Sequence, residues 1–263
     1  MRCGIAVWLY VEEGKPLPQL VREFADLGFD AISFRCETIL DVDSAAREEL
    51  AAVMDERDLT ATVHTHCGVT DEGLNAVVGL FADRLYSITL DADHVDDSRG
   101  KFWDGPATAA VLARVERTTR GTPVLFGAED FPRDALALGH YRDDLAPLLN
   151  CPRYGILVDI GHMNLHLRSK QYYRGVTPEE YFGRLPLPLI ELHLHDNDGT
   201  KDQHQYFGMG NNDFAAVARA GRAIGFDGVA TIEAVPRWCD LTPDEAMPHA
   251  KASLDTWRTL WEA

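Results

Sequence analysis

The sequence predicts an α/β protein, a (β/α)8 TIM barrel that forms a single domain over residues 1–263. The first observation is that eight short β-like runs alternate with helical stretches, as in parallel strands joined by helical crossovers. The second is the length, which is close to the about 250 residues of such barrels. The third is that acidic or imidazole groups follow six consecutive strand candidates, and barrel active sites lie at the carboxyl ends of strands.

The strand candidates are short runs rich in apolar or β-branched residues, most of them flanked by turn-forming residues. In chain order they cover residues 4–8, 31–34, 61–66, 85–90, 124–128, 155–159, 189–195 and 229–234. Between them, apolar residues recur at helical spacing, as at Leu20, Phe24 and Leu27. Thr177 and Thr242 are each followed by a proline and, three residues on, by a glutamate, which predicts two capped helix starts.

A doubly wound open sheet is the alternative fold. It is disfavoured because Trp8 and its neighbours follow the first strand, where a nucleotide-binding fold has a glycine-rich turn. The longest predicted irregular segment, residues 163–176, follows the sixth strand, and long loops in compact domains are often functional. Its basic part, residues 168–174, is either a solvated loop or a clamp for an anionic substrate such as a sugar phosphate.

The composition limits the function classes. A formal net charge of −17 disfavours nucleic acid and anionic membrane surfaces as partners. The five cysteines are scattered without CxxC spacing, which indicates reduced thiols in a cytoplasmic protein. No run approaches the roughly 18 apolar residues of a membrane span. The oligomeric state is left open, a homo-oligomer included.

Groups that can bind a metal or transfer a proton lie at the ends of the third to eighth strands. In chain order they are His64, His66, Asp91, His94, Glu129, Asp130, Asp159, His162, Glu191, His193, His195, Asp202, His204 and Glu233. Alternation along the strands places Glu129, Asp159 and Glu233 on the faces that look into the barrel. Any one of them alone could be a helix cap, an ion-pair partner or a core residue. Together they predict a divalent cation, because unpaired buried carboxylates are costly.

These residues resemble the xylose isomerase-like TIM barrel superfamily over essentially the whole chain. The most specific matches are Asp159-Ile160-Gly161-His162, His193-Leu194-His195-Asp196, Asp202-Gln203-His204, Gly208-Met209-Gly210 and the lone Glu233. The superfamily contains sugar isomerases and epimerases and also the endonuclease IV branch, AP endonuclease family 2. The resemblance therefore indicates the superfamily more strongly than the reaction.

The resemblance to ketose 3-epimerases implies one divalent ion, of Mn, Mg, Co, Fe or Zn. Its ligands would be Glu129, Asp159, Glu233 and either His193 or His195. The two glutamates of those enzymes also transfer protons, so Glu129 and Glu233 are the candidate catalytic residues. The leading hypothesis is therefore a divalent-metal-dependent isomerase or epimerase. Its substrate would be a small sugar-like hydroxy-carbonyl compound, phosphorylated or not, that reacts through an enediolate.

Two positions depart from the epimerase pattern. Ala135 stands where those enzymes have a further substrate-binding glutamate, and Lys201 falls near their later arginine. These differences weigh against a simple free-ketose epimerase. The expected partner is still a small carbohydrate-like molecule. The candidate substrate-binding residues are His64, His66, His162, Lys201, Arg168, Trp8 and Arg237.

The resemblance to the endonuclease IV branch implies the alternative, a multinuclear metal-dependent hydrolase or phosphoesterase with three zinc ions. The matching ligands would be His64 or His66, Glu129, Asp159, His162, His193, Asp202, His204 and Glu233. The acidic composition and the lack of a long basic stripe weigh against a DNA substrate. One ion is therefore favoured, with two or three as the alternative. A non-catalytic sugar-binding protein is a third hypothesis, disfavoured by the intact carboxylate set.

Overall fold

The structure is a computed structural model that describes residues 1–12, 15–66, 68–91, 95–97, 100–102, 105–130, 150–169 and 173–263. The strands are β1 (Arg2–Ala6), β2 (Ala31–Phe34), β3 (Thr60–Thr65), β4 (Leu85–Leu90), β5 (Val95–Asp97), β6 (Gly100–Phe102), β7 (Leu125–Glu129), β8 (Tyr154–Asp159), β9 (Leu189–Leu194) and β10 (Val229–Ile232). Eight of them are parallel and close in the order β1-β10-β9-β8-β7-β4-β3-β2. The short strands β5 and β6 form a separate antiparallel pair. The predicted (β/α)8 TIM barrel is confirmed.

The described helices connect the barrel strands in sequence. They are Leu17–Leu27, Cys36–Leu40, Ser44–Glu56, Asp71–Phe81, Gly105–Thr118, Ile160–Ser169, Pro178–Gly183, Phe214–Ala223 and Pro243–Glu262, with short 3-10 helices at Val7–Leu9, Ala82–Arg84 and Pro236–Cys239. Both predicted capping boxes are present, at Thr177 and Thr242. Every helix in the described ranges is too short or too polar to span a lipid bilayer.

The main apolar core contains the strand residues that the sequence predicts to face helices. Phe126, Val158 and Ile232 belong to this core, together with Leu254 and Trp257 of the last helix. The interior of the barrel, by contrast, contains buried polar side chains, as is seen on β4, β9 and β10. The apolar face of each strand therefore packs outwards against the helices, and the polar or ionisable face points towards the barrel axis.

Two strand predictions are wrong at their ends. The first strand ends at Ala6, and Trp8 lies in the following 3-10 helix, because the pairing of β1 with β10 ends at Ile5. Likewise β10 ends at Ile232, where its pairing with Leu194 of β9 ends. His195 and Glu233 therefore lie just beyond the ladder. There they are free to point into the barrel mouth.

The prediction of an irregular segment at residues 163–176 is wrong for its first half, which is helical from Ile160 to Ser169. Polar residues on the buried side of this helix interrupt the apolar periodicity. Asn164 and His166 are both buried, and each has a partner: Asn164 donates to Asn197 Oδ1 at 2.8 Å, and His166 Nδ1 lies 3.0 Å from Tyr181 Oη. Tertiary hydrogen bonds thus compensate for the burial of polar groups. His94, Cys67, Ala135 and residues 170–172 lie outside the described residues.

Candidate metal centre and active site

The structure brings most of the predicted ionisable residues together at the carboxyl ends of the strands. Six of them are residues that are at most 7% exposed, namely Glu129, Asp159, His162, His193, His195 and Glu233. Each lies on a barrel strand or within three residues of its end. Such a density of buried charge needs an explanation other than packing.

His193 occupies the middle of this cluster. Its Nδ1 atom lies 3.0 Å from Glu233 Oε2. Ligand-type atoms of Asp159, His193 and Glu233 all lie within 4.8 Å of one another, and the same is true of His64, Glu129 and His193. His193 is therefore shared by two groups that could each hold a metal ion. Together the two groups contain both glutamates that the sequence predicts to be catalytic.

His195 faces the other side of Asp159. Its Nε2 atom lies 2.9 Å from Asp159 Oδ1 and 3.6 Å from Asp202 Oδ1. The ring of His204 stacks on that of His195 with 3.8 Å between the ring centres. His162, Asp202 and His204 form a further group that could bind a cation. Strand β9 and the loop that follows it thus contribute residues to two neighbouring groups, one around His193 and one around Asp202.

Unpartnered buried atoms test whether these side chains suit a metal. Asp159 Oδ2, both ring nitrogens of His193, His195 Nε2 and Asp202 Oδ1 are buried and make no well-aligned hydrogen bond among the described residues, although carboxylate oxygens lie within 3.0 Å of His193 Nδ1 and His195 Nε2. Buried polar atoms without partners are rare, because each costs free energy comparable to a lost hydrogen bond. A divalent cation that prefers nitrogen and oxygen ligands would satisfy all of them. The donor set therefore fits such an ion.

The electrostatics of the cluster agree with this. Burial by itself lowers the pKa of His193, but the carboxylates of Glu233, Glu191 and Glu129 together outweigh that effect and raise the pKa well above its usual value. Burial lowers the pKa of His204, but the neighbouring carboxylate of Asp202 raises it. The net effect is a pKa of about 9. Burial raises the pKa of Glu129. The carboxylates thus attract protons to the imidazoles, and a bound cation would replace those protons.

Asp130 positions two of these residues; the sequence places it among the ionisable groups at the strand ends but not among the predicted ligands or catalytic residues. It is fully buried, and its Oδ1 atom accepts a hydrogen bond from the backbone N–H of Asp159 at 2.7 Å. Its carbonyl oxygen lies 2.7 Å from His162 Nδ1, and Tyr181 donates to its Oδ2 atom at 2.9 Å. Burial raises the pKa of Asp130 to about 7. In the sequence, the position of Asp130 directly after Glu129 indicates that it lies near the site.

Asp196 organises the loop that contains Asp202 and His204. Its carboxylate accepts four backbone hydrogen bonds of 2.9–3.0 Å, from Asn197, Gly208, Gly210 and Asn212. His204 itself has a φ of 43°, in the left-handed region that non-glycine residues rarely adopt. Its ring nitrogen Nδ1 lies 2.9 Å from the carbonyl oxygen of Glu233. The loop is therefore held in one conformation by contacts at both ends.

Replacement of Asp196 with alanine is expected to destabilise the protein by about 3 kcal/mol, because one buried and three part-buried backbone N–H groups lose a charged acceptor. Urea unfolding measures the change. Asp198→Ala is the matched control in the same loop, since among the described residues the Asp198 carboxylate accepts hydrogen bonds only from exposed groups of Thr200. The backbone N–H of residue 198 still donates to Gln203 Oε1 in this variant. Equal losses in the two variants would contradict the role assigned to Asp196.

Glu191 is a buried carboxylate beneath His193 in the barrel. It accepts hydrogen bonds from Ser87 Oγ at 2.8 Å and from Thr231 Oγ1 at 3.2 Å, and its Oε1 atom lies 3.7 Å from His193 Nε2. The two hydroxyl donors fix the carboxylate next to the imidazole. Carboxylates in this position orient metal-binding histidines and increase their basicity. Its place on the same strand face as His193 and His195 was visible in the sequence.

We expect Glu191→Gln to weaken divalent-metal binding about 10- to 100-fold, because the variant keeps the shape of the side chain and loses its charge. Calorimetric titration of metal-free protein measures the dissociation constant. Glu116→Gln, on the outer helix Gly105–Thr118, is the matched control. An unchanged dissociation constant in Glu191→Gln would show that Glu191 has only a packing role.

The predicted substrate-binding residues are distributed around this centre. Trp8 and Arg237 line a cavity of about 520 Å³ that also contains His204 and Glu233. His64 is buried with its Nε2 atom 3.2 Å from Glu129 Oε2. The structure therefore places these three next to the predicted catalytic residues.

Three other substrate-binding candidates, His66, Lys201 and Arg168, do not line this cavity. His66 is half-exposed and contacts Glu37 at 3.2 Å, and Lys201 is exposed on its loop. Arg168 lies on the helix Ile160–Ser169 and donates to Asn164 Oδ1 at 2.9 Å and to the carbonyl oxygen of Asn211 at 3.2 Å. Its guanidinium thus stabilises the loop that follows β9.

Comparison with known proteins agrees with this geometry. Residues 140–260 match the family model described as xylose isomerase-like TIM barrel. The matched residues make up slightly less than half of the chain. Over 127 residues it is 28% identical to the uncharacterized protein MJ1311 of Methanocaldococcus jannaschii, a match that covers 47% of this chain and 41% of that protein. The matched region is therefore less than half of that relative.

Two solved structures show the same barrel over their full length. The D-psicose 3-epimerase of Clostridium cellulolyticum H10, solved with D-tagatose, is 16% identical with a TM-score of 0.72, and the match covers 100% of both chains. The IolI protein, solved with a zinc atom, is 15% identical with a TM-score of 0.66 and the same coverage. At these identities the likeness shows a shared fold.

Proposed function

We propose that this protein is a divalent-metal-dependent isomerase or epimerase of a small sugar-like hydroxy-carbonyl compound. One observation carries the proposal: Glu129 and Glu233, from different strands, both approach the shared residue His193. Two carboxylates at one buried centre are the arrangement needed to remove a proton from a carbon and return one to it. The fold of the sugar epimerase solved with D-tagatose supports the same class of reaction.

The residues that would hold the ion are Glu129, Asp159, His193 and Glu233. His195 contacts Asp159 and Asp202, so its geometry favours a supporting place beside this set. When bound, a divalent ion polarises a carbonyl group and thereby acidifies the adjacent C–H bond. One glutamate would take that proton and the other would deliver a proton to the enediolate, while the buried walls of the site exclude water.

Solvent deuterium exchange tests the proposal. Metal-loaded protein is incubated in D2O with D-psicose, D-tagatose, D-fructose and their phosphorylated and oxidised counterparts. We expect deuterium at the carbon next to the carbonyl of at least one compound, detected by NMR. Absence of exchange from the whole panel, with metal content confirmed, would contradict an isomerase or epimerase.

A multinuclear hydrolase is the second candidate, and the separate group of His162, Asp202 and His204 favours it. If that group also holds an ion, two or three ions per chain could activate water for attack on a phosphoester. Metal analysis separates the candidates, because about one ion per chain supports the isomerase. Chelator-sensitive cleavage of a phosphodiester, with an abasic DNA duplex as one probe, would support the hydrolase instead.

A further inference from the structure

Arg35 follows β2 directly and lines the same cavity as His204 and Glu233. Its Nε atom is buried without a hydrogen-bond partner among the described residues, and no carboxylate there lies within 4.0 Å of its guanidinium. The chain has 42 Asp and Glu against 25 Lys and Arg, so carboxylates are not scarce. An arginine at a cavity wall without such a partner has the properties of an anion-binding group.

Trp8 links Arg35 to the metal centre. The guanidinium carbon of Arg35 lies 5.2 Å from the centre of the Trp8 ring, within the range of a cation–π contact. Trp8 also stacks on His64, with 6.0 Å between ring centres and 20° between planes. The Nε1 atom of Trp8 is also buried without a partner in the described part of the chain. Two unpartnered N–H donors thus belong to residues that contact each other, and Trp8 in turn contacts His64, which lies 3.2 Å from Glu129.

The other basic candidates do not offer the same arrangement. Arg168 already donates to Asn164 and Asn211. Arg237 lines the same cavity as Arg35, but from an exposed position. Arg35 therefore combines three properties, which are partial burial, an aromatic support and a place beside the predicted catalytic carboxylates.

We propose that the substrate has an anionic group, a carboxylate or a phosphate, which is bound by the guanidinium of Arg35 and the indole N–H of Trp8. The proposal deepens the proposed function and rests on it, because the hydroxy-carbonyl part would then extend towards Glu129 and Glu233. A guanidinium binds two oxygens of either anion, and the indole donates one further hydrogen bond. Binding would satisfy both unpartnered donors.

The test uses three polyols that have no aldehyde or ketone group and therefore cannot be isomerised: glucitol, gluconate and glucitol 6-phosphate. Calorimetry measures the binding of each to metal-loaded protein. We expect gluconate or glucitol 6-phosphate to bind at least about tenfold more tightly than glucitol, and the tighter of the two identifies carboxylate or phosphate. In Arg35→Gln this anion should bind about 10- to 100-fold more weakly, with glucitol unchanged.

Two further variants complete the test. Trp8→Phe keeps the aromatic ring beside Arg35 and removes the N–H donor, so the affinity for the anionic polyol should fall about tenfold. Arg22→Gln, whose arginine pairs with Glu49 on the outer surface, is the matched control and should bind all three polyols like the wild type. Equal affinity for charged and neutral polyols, undetectable binding of all three, or an anion affinity unaffected by Arg35→Gln would overturn the proposal. Failure of the isomerase function appears separately, as the absence of deuterium exchange.

Discussion

Glu233→Gln is expected to reduce solvent deuterium exchange about 100- to 10,000-fold, the usual contribution of a positioned acid or base. Glutamine has nearly the shape of glutamate but cannot accept a proton at neutral pH. We expect a similar reduction for Glu129→Gln. The double variant should exchange only slightly more slowly than either single variant, because both glutamates act in the same exchange reaction.

The comparison needs a control for metal loss, since both glutamates lie among the proposed ligands. Each variant is therefore saturated with metal, and its metal content is measured beside its exchange rate. Glu49→Gln, on the exposed surface of the helix Ser44–Glu56, is the matched control and should exchange at the wild-type rate. Wild-type exchange in a fully loaded Glu129→Gln or Glu233→Gln protein would show that the glutamate is not an acid or base.

Removal of divalent metal is expected to lower the thermal stability of the protein. At a metal concentration about 100-fold above the dissociation constant, binding stabilises the native state by about 2.7 kcal/mol. For a chain of this size that corresponds to a fall in Tm of roughly 5–10 °C on chelation. Scanning calorimetry of loaded and chelated protein measures it, and elemental analysis gives the number of ions per chain.

The variant His193→Ala should lose most of this metal-dependent shift, because His193 is shared by two candidate ligand groups. His249→Ala, on the exposed side of the helix Pro243–Glu262, should keep the full shift. The metal-induced change in Tm is compared within each variant, so a loss of intrinsic stability does not affect the result. A chelator-independent Tm in the wild type, or a full shift in His193→Ala, would argue against metal binding at this centre.

Much of the barrel was predictable because its information is local. Alternating apolar runs predicted all eight barrel strands, and their end residues differ from the observed ones by two at most. The threonine-proline-glutamate patterns at Thr177 and Thr242 predicted capped helix starts, since a capping box involves only neighbouring residues. The carboxylates on strand ends could be collected into one site because parallel strands of a barrel end at the same rim.

The errors occurred where distant residues decide the local structure. Asn164 and His166 look like loop residues, and they are helical because Asn197 and Tyr181 bond to them across the site. Trp8 has strand propensity, but pairing of β1 ends before it. Local propensity is overridden in both places by tertiary contacts.

The sequence by itself determined the barrel and the set of ionisable residues at its mouth, because strand alternation and chain order suffice to place them. Only the tertiary structure decided how these residues divide into groups. It placed His193 between Glu129 and Glu233, turned His195 towards Asp159, and left Arg35 on Trp8 without a carboxylate partner among the described residues. The reason is that distances of about 3–4 Å between side chains depend on strand register and loop path. Neither is encoded in any short stretch of the chain.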